Sequence, residues 1–214
     1  MLRADFHIHT RYSMDCHNEL DEIVLRCQQL NINCVAISDH DATEGAFKLK
    51  EIAPFKVIIA EEILTPSGEV MGLFLKEHIA SGLSIERAID SIHAQGSLVC
   101  IPHPFDPLRG LRLNEEGWEH IIGQVDILEV FNARCPFGKP ATKAKSYATR
   151  HNLPGTAGSD AHSIGEIGKV IVEMPDFDTP QEFLESLRKA KINGKRSSPL
   201  VHFNSTWSKI KKAF

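Results

Sequence analysis

The chain has 214 residues, 42% of them hydrophobic and 24% charged, the balance of one globular domain or at most two small ones, which excludes a disordered or fibrous protein. Apolar runs such as Val57-Ile58-Ile59-Ala60 and Leu98-Val99-Cys100-Ile101 fall far short of the roughly 20 residues a membrane span needs, so no membrane partner is expected. The formal charge of −4 argues against a protein that coats nucleic acid.

In chain order, β-branched apolar runs predict strands over Leu2 to Ile8, Cys34 to Ser38, Lys56 to Ile63, Glu69 to Leu75, Ser97 to Pro102, Asp126 to Phe131, Thr156 to Ser159 and Lys169 to Met174. Between them, helical spacing predicts one apolar face through Leu20, Ile23, Val24, Cys27 and Leu30, another through Ile85, Ala88, Ile89 and Ile92, and a third through Phe183, Leu184 and Leu187. The last helix opens on Thr179-Pro180-Gln181-Glu182, a capping box with proline in the first turn. Alternating strands and helices predict an α/β fold with a largely parallel sheet, as a barrel or an open sheet. No glycine-rich nucleotide fingerprint follows any strand. The start of the chain carries charge and histidine where a signal peptide needs an apolar stretch, so a cytoplasmic location is expected. Five cysteines, an odd number with no Cys-x-x-Cys pair, read as buried small apolar residues rather than disulfides or a thiolate zinc site.

Eleven histidines are the compositional oddity, and their positions give it meaning. Ligand-type residues collect at the C-terminal ends of five predicted strands: His7-Ile8-His9, Asp39-His40, Glu61-Glu62, His103, and Gly158-Ser159-Asp160-Ala161-His162. That rim is where parallel α/β folds build active sites. Residues two apart on a strand point to the same side, so His7 with His9, and Asp160 with His162, can converge. Each motif alone is ordinary turn or surface chemistry; five coinciding at one rim predict a metal site. Imidazole and carboxylate without thiolate suit zinc, manganese or iron in a catalytic centre with positions open to water.

These residues, Asp5-Phe6-His7-Ile8-His9-Thr10 with Ser13-Met14-Asp15, Ser38-Asp39-His40, Ala60-Glu61-Glu62-Ile63, Ile101-Pro102-His103-Pro104, Glu129-Val130-Phe131-Asn132 and Gly158-Ser159-Asp160-Ala161-His162, resemble the polymerase and histidinol phosphatase (PHP) family. The resemblance implies a single-domain, distorted seven-stranded β/α barrel over residues 1–194, with residues 195–214 as a basic C-terminal extension packed on or flanking it. It also implies two or three divalent ions at the barrel mouth and hydrolysis of a phosphomonoester or phosphodiester by a hydroxide shared between metals. Carried over residue by residue, His7, His9, Glu62 and Asp160 hold one metal, Glu62 bridges to a second that His103 also binds, and Asp15, His40 and His162 hold a third. A further family histidine, expected near Met71, is absent, because no histidine lies between His40 and His78; a two-metal enzyme therefore remains open.

For the chemistry, His40 and His162 are the candidate proton donors, Arg11 and Arg134 the candidate phosphate-binding arginines, and Asp39 and Asn132 the residues that orient ligands. Substrate specificity is assigned to loops over Phe105 to Trp118 and Ala133 to Lys143. The expected partner is a small phosphorylated substrate rather than nucleic acid. Three alternatives stand beside this reading. An amidohydrolase barrel also begins with a His-x-His strand; a nuclease acting on single strands would use the basic end of the chain, where eight Lys and Arg but no Asp or Glu follow Glu185; and a retired centre would bind metal without turnover.

Overall fold

In the computed structural model, which describes residues 1–198, β1 (Leu2–Ile8), β2 (Cys34–Ile37), β3 (Lys56–Thr65), β4 (Gly68–Leu73), β5 (Leu98–Ile101), β6 (Ile127–Asn132) and β7 (Gly155–Gly158) follow one another around a curved sheet. Two more strands, β8 (Val170–Met174) and β9 (Lys191–Gly194), extend the sheet beyond β1, giving nine strands in the order β7-β6-β5-β4-β3-β2-β1-β8-β9. The first seven nearly close into a barrel. Leu2 to Ala4 of β1 pair with β8, but at its far end Ile8 bridges in parallel to Ala161, just past β7. Two backbone bonds lock the seam: Asp160 N–H to the His7 carbonyl (2.7 Å) and His9 N–H to the Ala161 carbonyl (3.0 Å). Closure depends on Gly158, where a Cβ would lie 2.1 Å from the His7 Cβ.

The expected α/β barrel is therefore present, with nine strands in place of seven and two of them, β4 and β8, reversed. β4 runs antiparallel to both β3 and β5. The reason is local: only Pro66 and Ser67 separate β3 from β4, and so short a connection makes a hairpin, whereas a parallel neighbour needs a crossover. Thr65 Oγ1 donates to the Gly68 carbonyl (2.6 Å) and accepts from Ser67 N–H (3.1 Å), and Gly68 takes the positive φ of 119° that the turn requires. β9 escaped prediction because Lys-Ile-Asn-Gly is an exposed edge strand with no apolar alternation.

The helices α1 (Leu20–Gln29), α3 (Ile85–Ala94) and α6 (Pro180–Leu187) match the predicted apolar faces, burying Ile23 and Cys27, Ile85 to Ile92, and Phe183 and Leu187. At α6 Thr179 accepts from Glu182 N–H (3.2 Å), while Glu182 reaches back to Asp178 N–H (2.8 Å), one residue before the expected cap. Three helices lacked a sequence signal: α2 (Glu44–Ile52), α4 (Glu115–Ile122) and α5 (Gly138–Arg150). α4 and α5 overlap the segments read as specificity loops, so those segments are part loop and part helix. α5 buries only Ala144 and Ala148, too little apolar surface to mark a periodic face.

Alternation along the strands divides the core in two. Val35, Ile37, Ile59, Val99, Ile101 and Leu128 join the cluster that meets the helices, whereas Ala36, Ile58, Ala60, Met71, Cys100 and Ile127 join a second cluster on the opposite face of the sheet. Phe6, Phe74, Phe177 and Phe183 gather in that second cluster, with Phe6 and Phe183 edge-to-face at 5.2 Å. All five cysteines are buried and free, as expected. No helix among the described residues is long and apolar enough to cross a membrane. Of the expected basic extension, residues 195–198 lie against the barrel, with Ser197 N–H bonded to the Ala133 carbonyl (2.8 Å); residues 199–214, with Lys209, Lys211 and Lys212, lie outside the described residues.

Candidate metal centre

The centre begins with a flaw in β1. Between Asp5 and Ile8 the register against β2 slips by one residue, a β-bulge. The extra residue turns His7 to the same side as Phe6 and His9, while Ile8 packs outward. β6 slips similarly between Glu129 and Phe131, beside the same site. Two further residues sit at strand ends in left-handed backbone, His103 (φ 28°) and Asp160 (φ 54°). Such conformations are costly for residues with a Cβ and persist where the surroundings enforce them.

Eight residues singled out as ligands come together here. His7 Nε2 and His9 Nε2 lie 3.2 Å apart; Glu62 Oε2 is 3.4 and 3.5 Å from them, and Asp160 Oδ1 is 3.8 and 3.5 Å away. Four donors around an ion at bond lengths near 2.1 Å stand about 3.4 Å apart in a tetrahedron, close to these five separations. Glu62 Oε1 stands 3.0 Å from His103 Nε2, completing a His7, Glu62, His103 group. His9, Asp15, His40 and His162 form another, with Asp15 3.2 Å from His162 Nε2 and 3.6 Å from His40 Nε2. Glu61 and Glu62 part company as strand alternation requires: Glu61 turns to His78 (2.6 Å) and Ile79 N–H (3.0 Å), away from the centre.

Tautomers are set from behind. His7 Nδ1 lies 3.0 Å from Glu129 Oε1, so an Nδ1–H donated there leaves the Nε2 lone pair facing the centre. His162 Nδ1 is likewise 2.9 Å from the Asp160 carbonyl. Glu129 also accepts from His103 N–H (2.7 Å) and Asn132 Nδ2 (2.9 Å). Asn132, expected to orient ligands, donates as well to Asp160 (3.2 Å). Asp39 acts one step further out: it accepts from Thr10 N–H (2.5 Å) and Thr10 Oγ1 (2.6 Å), fixing the turn after His9. Asp5 ties β1 to the Asp160 turn by accepting from Ser159 N–H (2.8 Å), and burial pushes its carboxyl up to about 6.

The electrostatics are those of a cation site. Burial disfavours charge on His7, yet Glu62, Asp160 and Glu129 outweigh it and raise its pKa well above the ordinary value. His40 and His103 are raised in the same contest. Burial and the neighbouring His162 push His9 well below. Burial likewise opposes ionisation of Glu62 and Asp160, but His7 with His40 holds Glu62 well below the usual carboxylate range, and Arg109 with His7 does the same for Asp160. In solution, positive charge gathered by these carboxylates can be protons or metal.

The arginines were less legible. Arg11 is an exposed surface residue whose guanidinium pairs with Glu19 (2.8 Å) and is not brought to the centre. Arg134 is brought there, buried, with Nη1 4.0 Å from Asp160 Oδ1 and Nε 3.3 Å from Glu166. Sequence reasoning missed Arg109, which contacts Asp160 directly and reaches Asp106 and Asn132 Oδ1 (3.4 Å each). It also missed Glu69, whose carboxylate lies 3.7 Å from His40 Nδ1 and 3.5 Å from His103 Nε2, and the positioning roles of Glu129 and Asp5. Next to the centre, Phe105, Trp118, Phe137, Arg112, Lys139 and Lys143 line a cavity of about 940 Å³.

Comparison with known proteins accords with this geometry. Residues 139–192 match a family model described as PHP-associated. The uncharacterized protein MJ0417 of Methanocaldococcus jannaschii is 36% identical over 209 residues, covering 90% of this chain and 84% of that protein. The fold is similar to that of a Bacteroides vulgatus two-domain protein containing a predicted PHP-like metal-dependent phosphoesterase (TM-score 0.74, 16% identity), with 91% of this chain matched but only 65% of that protein's length. It is also similar to that of an amidohydrolase from Chromobacterium violaceum (TM-score 0.62, 14% identity, 95% of this chain and 96% of the other). With a PHP-associated segment and a relative 36% identical over most of both chains, the chain belongs to the PHP family.

Proposed function

We propose that the protein is a metal-dependent phosphoesterase acting on a small phosphorylated substrate, with two or three zinc, manganese or iron ions held by His7, His9, Asp15, His40, Glu62, His103, Asp160 and His162. The observation that carries this reading is the spacing of the Nε2 atoms of His7 and His9 from each other and from Glu62 and Asp160, all between 3.2 and 3.8 Å. Divalent ions in such a site supply a nucleophilic water at neutral pH and neutralise charge on the phosphate oxygens.

The chain's own groups do the rest. Glu129 and the Asp160 carbonyl hold His7 and His162 in the tautomers that present Nε2. Arg109 and Arg134 place guanidinium groups beside Asp160, suited to nonbridging phosphate oxygens. Where only two metal positions are filled and His40 is not committed to ligation, this histidine, the most exposed of the site histidines with 14% of its side chain accessible, is at hand to give a proton to the leaving oxygen. The adjoining cavity, with three aromatic rings and three cations, has the size and mixed character of a small-molecule pocket and supports an organic phosphate over a bare strand. The free, buried cysteines accord with a reaction in the cytoplasm.

Purified protein loaded with manganese or zinc is expected to hydrolyse a generic aryl phosphoester, and His9→Ala or Asp160→Ala to abolish turnover. Full activity in a chelator-treated His7→Ala/His9→Ala protein overturns the proposal. The likeness to an amidohydrolase favours a second reading, C–N hydrolysis at the same centre; a panel of amides and cyclic amides run beside the phosphoesters separates the two.

A further inference from the structure

We propose that Glu69 is a ligand of the second metal position, joining Glu62 and His103, and that it takes the place of the histidine this chain lacks near Met71. The inference rests on the metal-centre reading above and concerns how that centre is completed.

Three observations carry it. In the β3–β4 hairpin Met71 stands directly across from Glu62 and Glu69 across from Leu64. Glu69 and Met71 are two residues apart on one strand, so they share the face turned to Glu62. Met71 is buried in the core cluster on that face, and a thioether is a poor ligand for a hard divalent ion. The hairpin thus offers the centre a carboxylate one step nearer the turn.

Second, that carboxylate is aimed at the centre. Glu69 Oε2 is 3.5 Å from His103 Nε2 and Oε1 is 3.7 Å from His40 Nδ1. These imidazoles are its ion-pair partners within 4 Å among the described residues; no lysine or arginine pairs with it there. Third, Glu69 Oε2 is buried and hydrogen-bonded to nothing, and its carboxylate shares a tight group with a second one, Glu62, and His40. Two carboxylates at such range, one with a buried oxygen that accepts no hydrogen bond, repel unless positive charge lies between them. A histidine replaced by glutamate also changes the donor set to two carboxylates and one imidazole. More oxygen and less nitrogen shifts preference from zinc toward manganese at this position.

The test is metal binding, read without turnover. Full-length protein, stripped by chelator, is titrated with Mn²⁺ while free Mn²⁺ is followed by electron paramagnetic resonance and bound metal is counted by elemental mass spectrometry. Wild type is expected to take up at least two ions. Glu69→Gln is expected to lose one of them, or to bind it about tenfold or more weakly, without loss of thermal stability in the stripped state. Glu69→His is expected to recover the ion and to raise the Zn²⁺ to Mn²⁺ affinity ratio. Glu69→Gln binding as many ions as wild type, each within threefold in affinity, overturns the inference and leaves the metal centre standing. A wild-type chain that binds neither Mn²⁺, Zn²⁺ nor Fe²⁺ overturns the metal-centre reading and this inference together.

Discussion

Glu129→Gln probes how the centre is held rather than what it contains. The carboxylate accepts three hydrogen bonds: from His7 Nδ1 on Oε1 (3.0 Å), and from His103 N–H (2.7 Å) and Asn132 Nδ2 (2.9 Å) on Oε2. An amide has one acceptor and one donor end, so it cannot serve both sides. If its oxygen stays with His103 and Asn132, its NH₂ faces His7, which must then accept on Nδ1 and carry its proton on Nε2, pointing at the metal. If it turns over, two buried donors lose their acceptor at about 1–3 kcal/mol each. The less costly arrangement removes His7 from ligation or strains it by roughly 1.4–3 kcal/mol, a loss of about 10- to 150-fold in metal affinity. Competition against a chromogenic chelator measures this on the folded variant. An affinity within threefold of wild type, with an unchanged melting temperature, refutes the idea that Glu129 sets the His7 tautomer.

Gly158→Ala brings a methyl to 2.1 Å from the His7 Cβ and 2.8 Å from its backbone nitrogen, so it should cost about 3 kcal/mol by denaturant unfolding and weaken metal binding with it; a loss under about 1 kcal/mol contradicts the close β1–β7 seam. Metal-free protein should lose stability as pH rises above about 6.5. The raised pKa values of His7, His40 and His103 give stability that is complete below the unfolded value and is lost as pH climbs through the folded ones, about 1.4 kcal/mol per pH unit for each imidazole in that window. The depressed values of Glu62 and Asp160 act at the other end, giving stability present above about 4 and lost toward acid. Urea unfolding of chelator-treated protein from pH 6 to 9 should therefore show a decline that added metal suppresses; a flat or rising profile contradicts it.

The sequence by itself determined the strands of the barrel and the candidate ligands at their ends, because both are local patterns. A buried strand is a short apolar run, and a site at its C-terminal end follows in the next two or three residues, as in His7 to His9 or Asp160 to His162. Tertiary structure decided what depends on register and closure. The bulge that turns His7 inward, the reversal of β4 and the seam at Gly158 all arise from pairing between distant segments. Glu69 was invisible for that reason: a lone glutamate in Gly-Glu-Val-Met has no pattern, and only the hairpin brings it to His103. Arg109 and Arg11 show the same limit, since both lie in loops near ligand motifs. Folding carries one to Asp160 and leaves the other on the surface with Glu19, because a flexible arginine reaches whichever carboxylate the packed chain sets beside it.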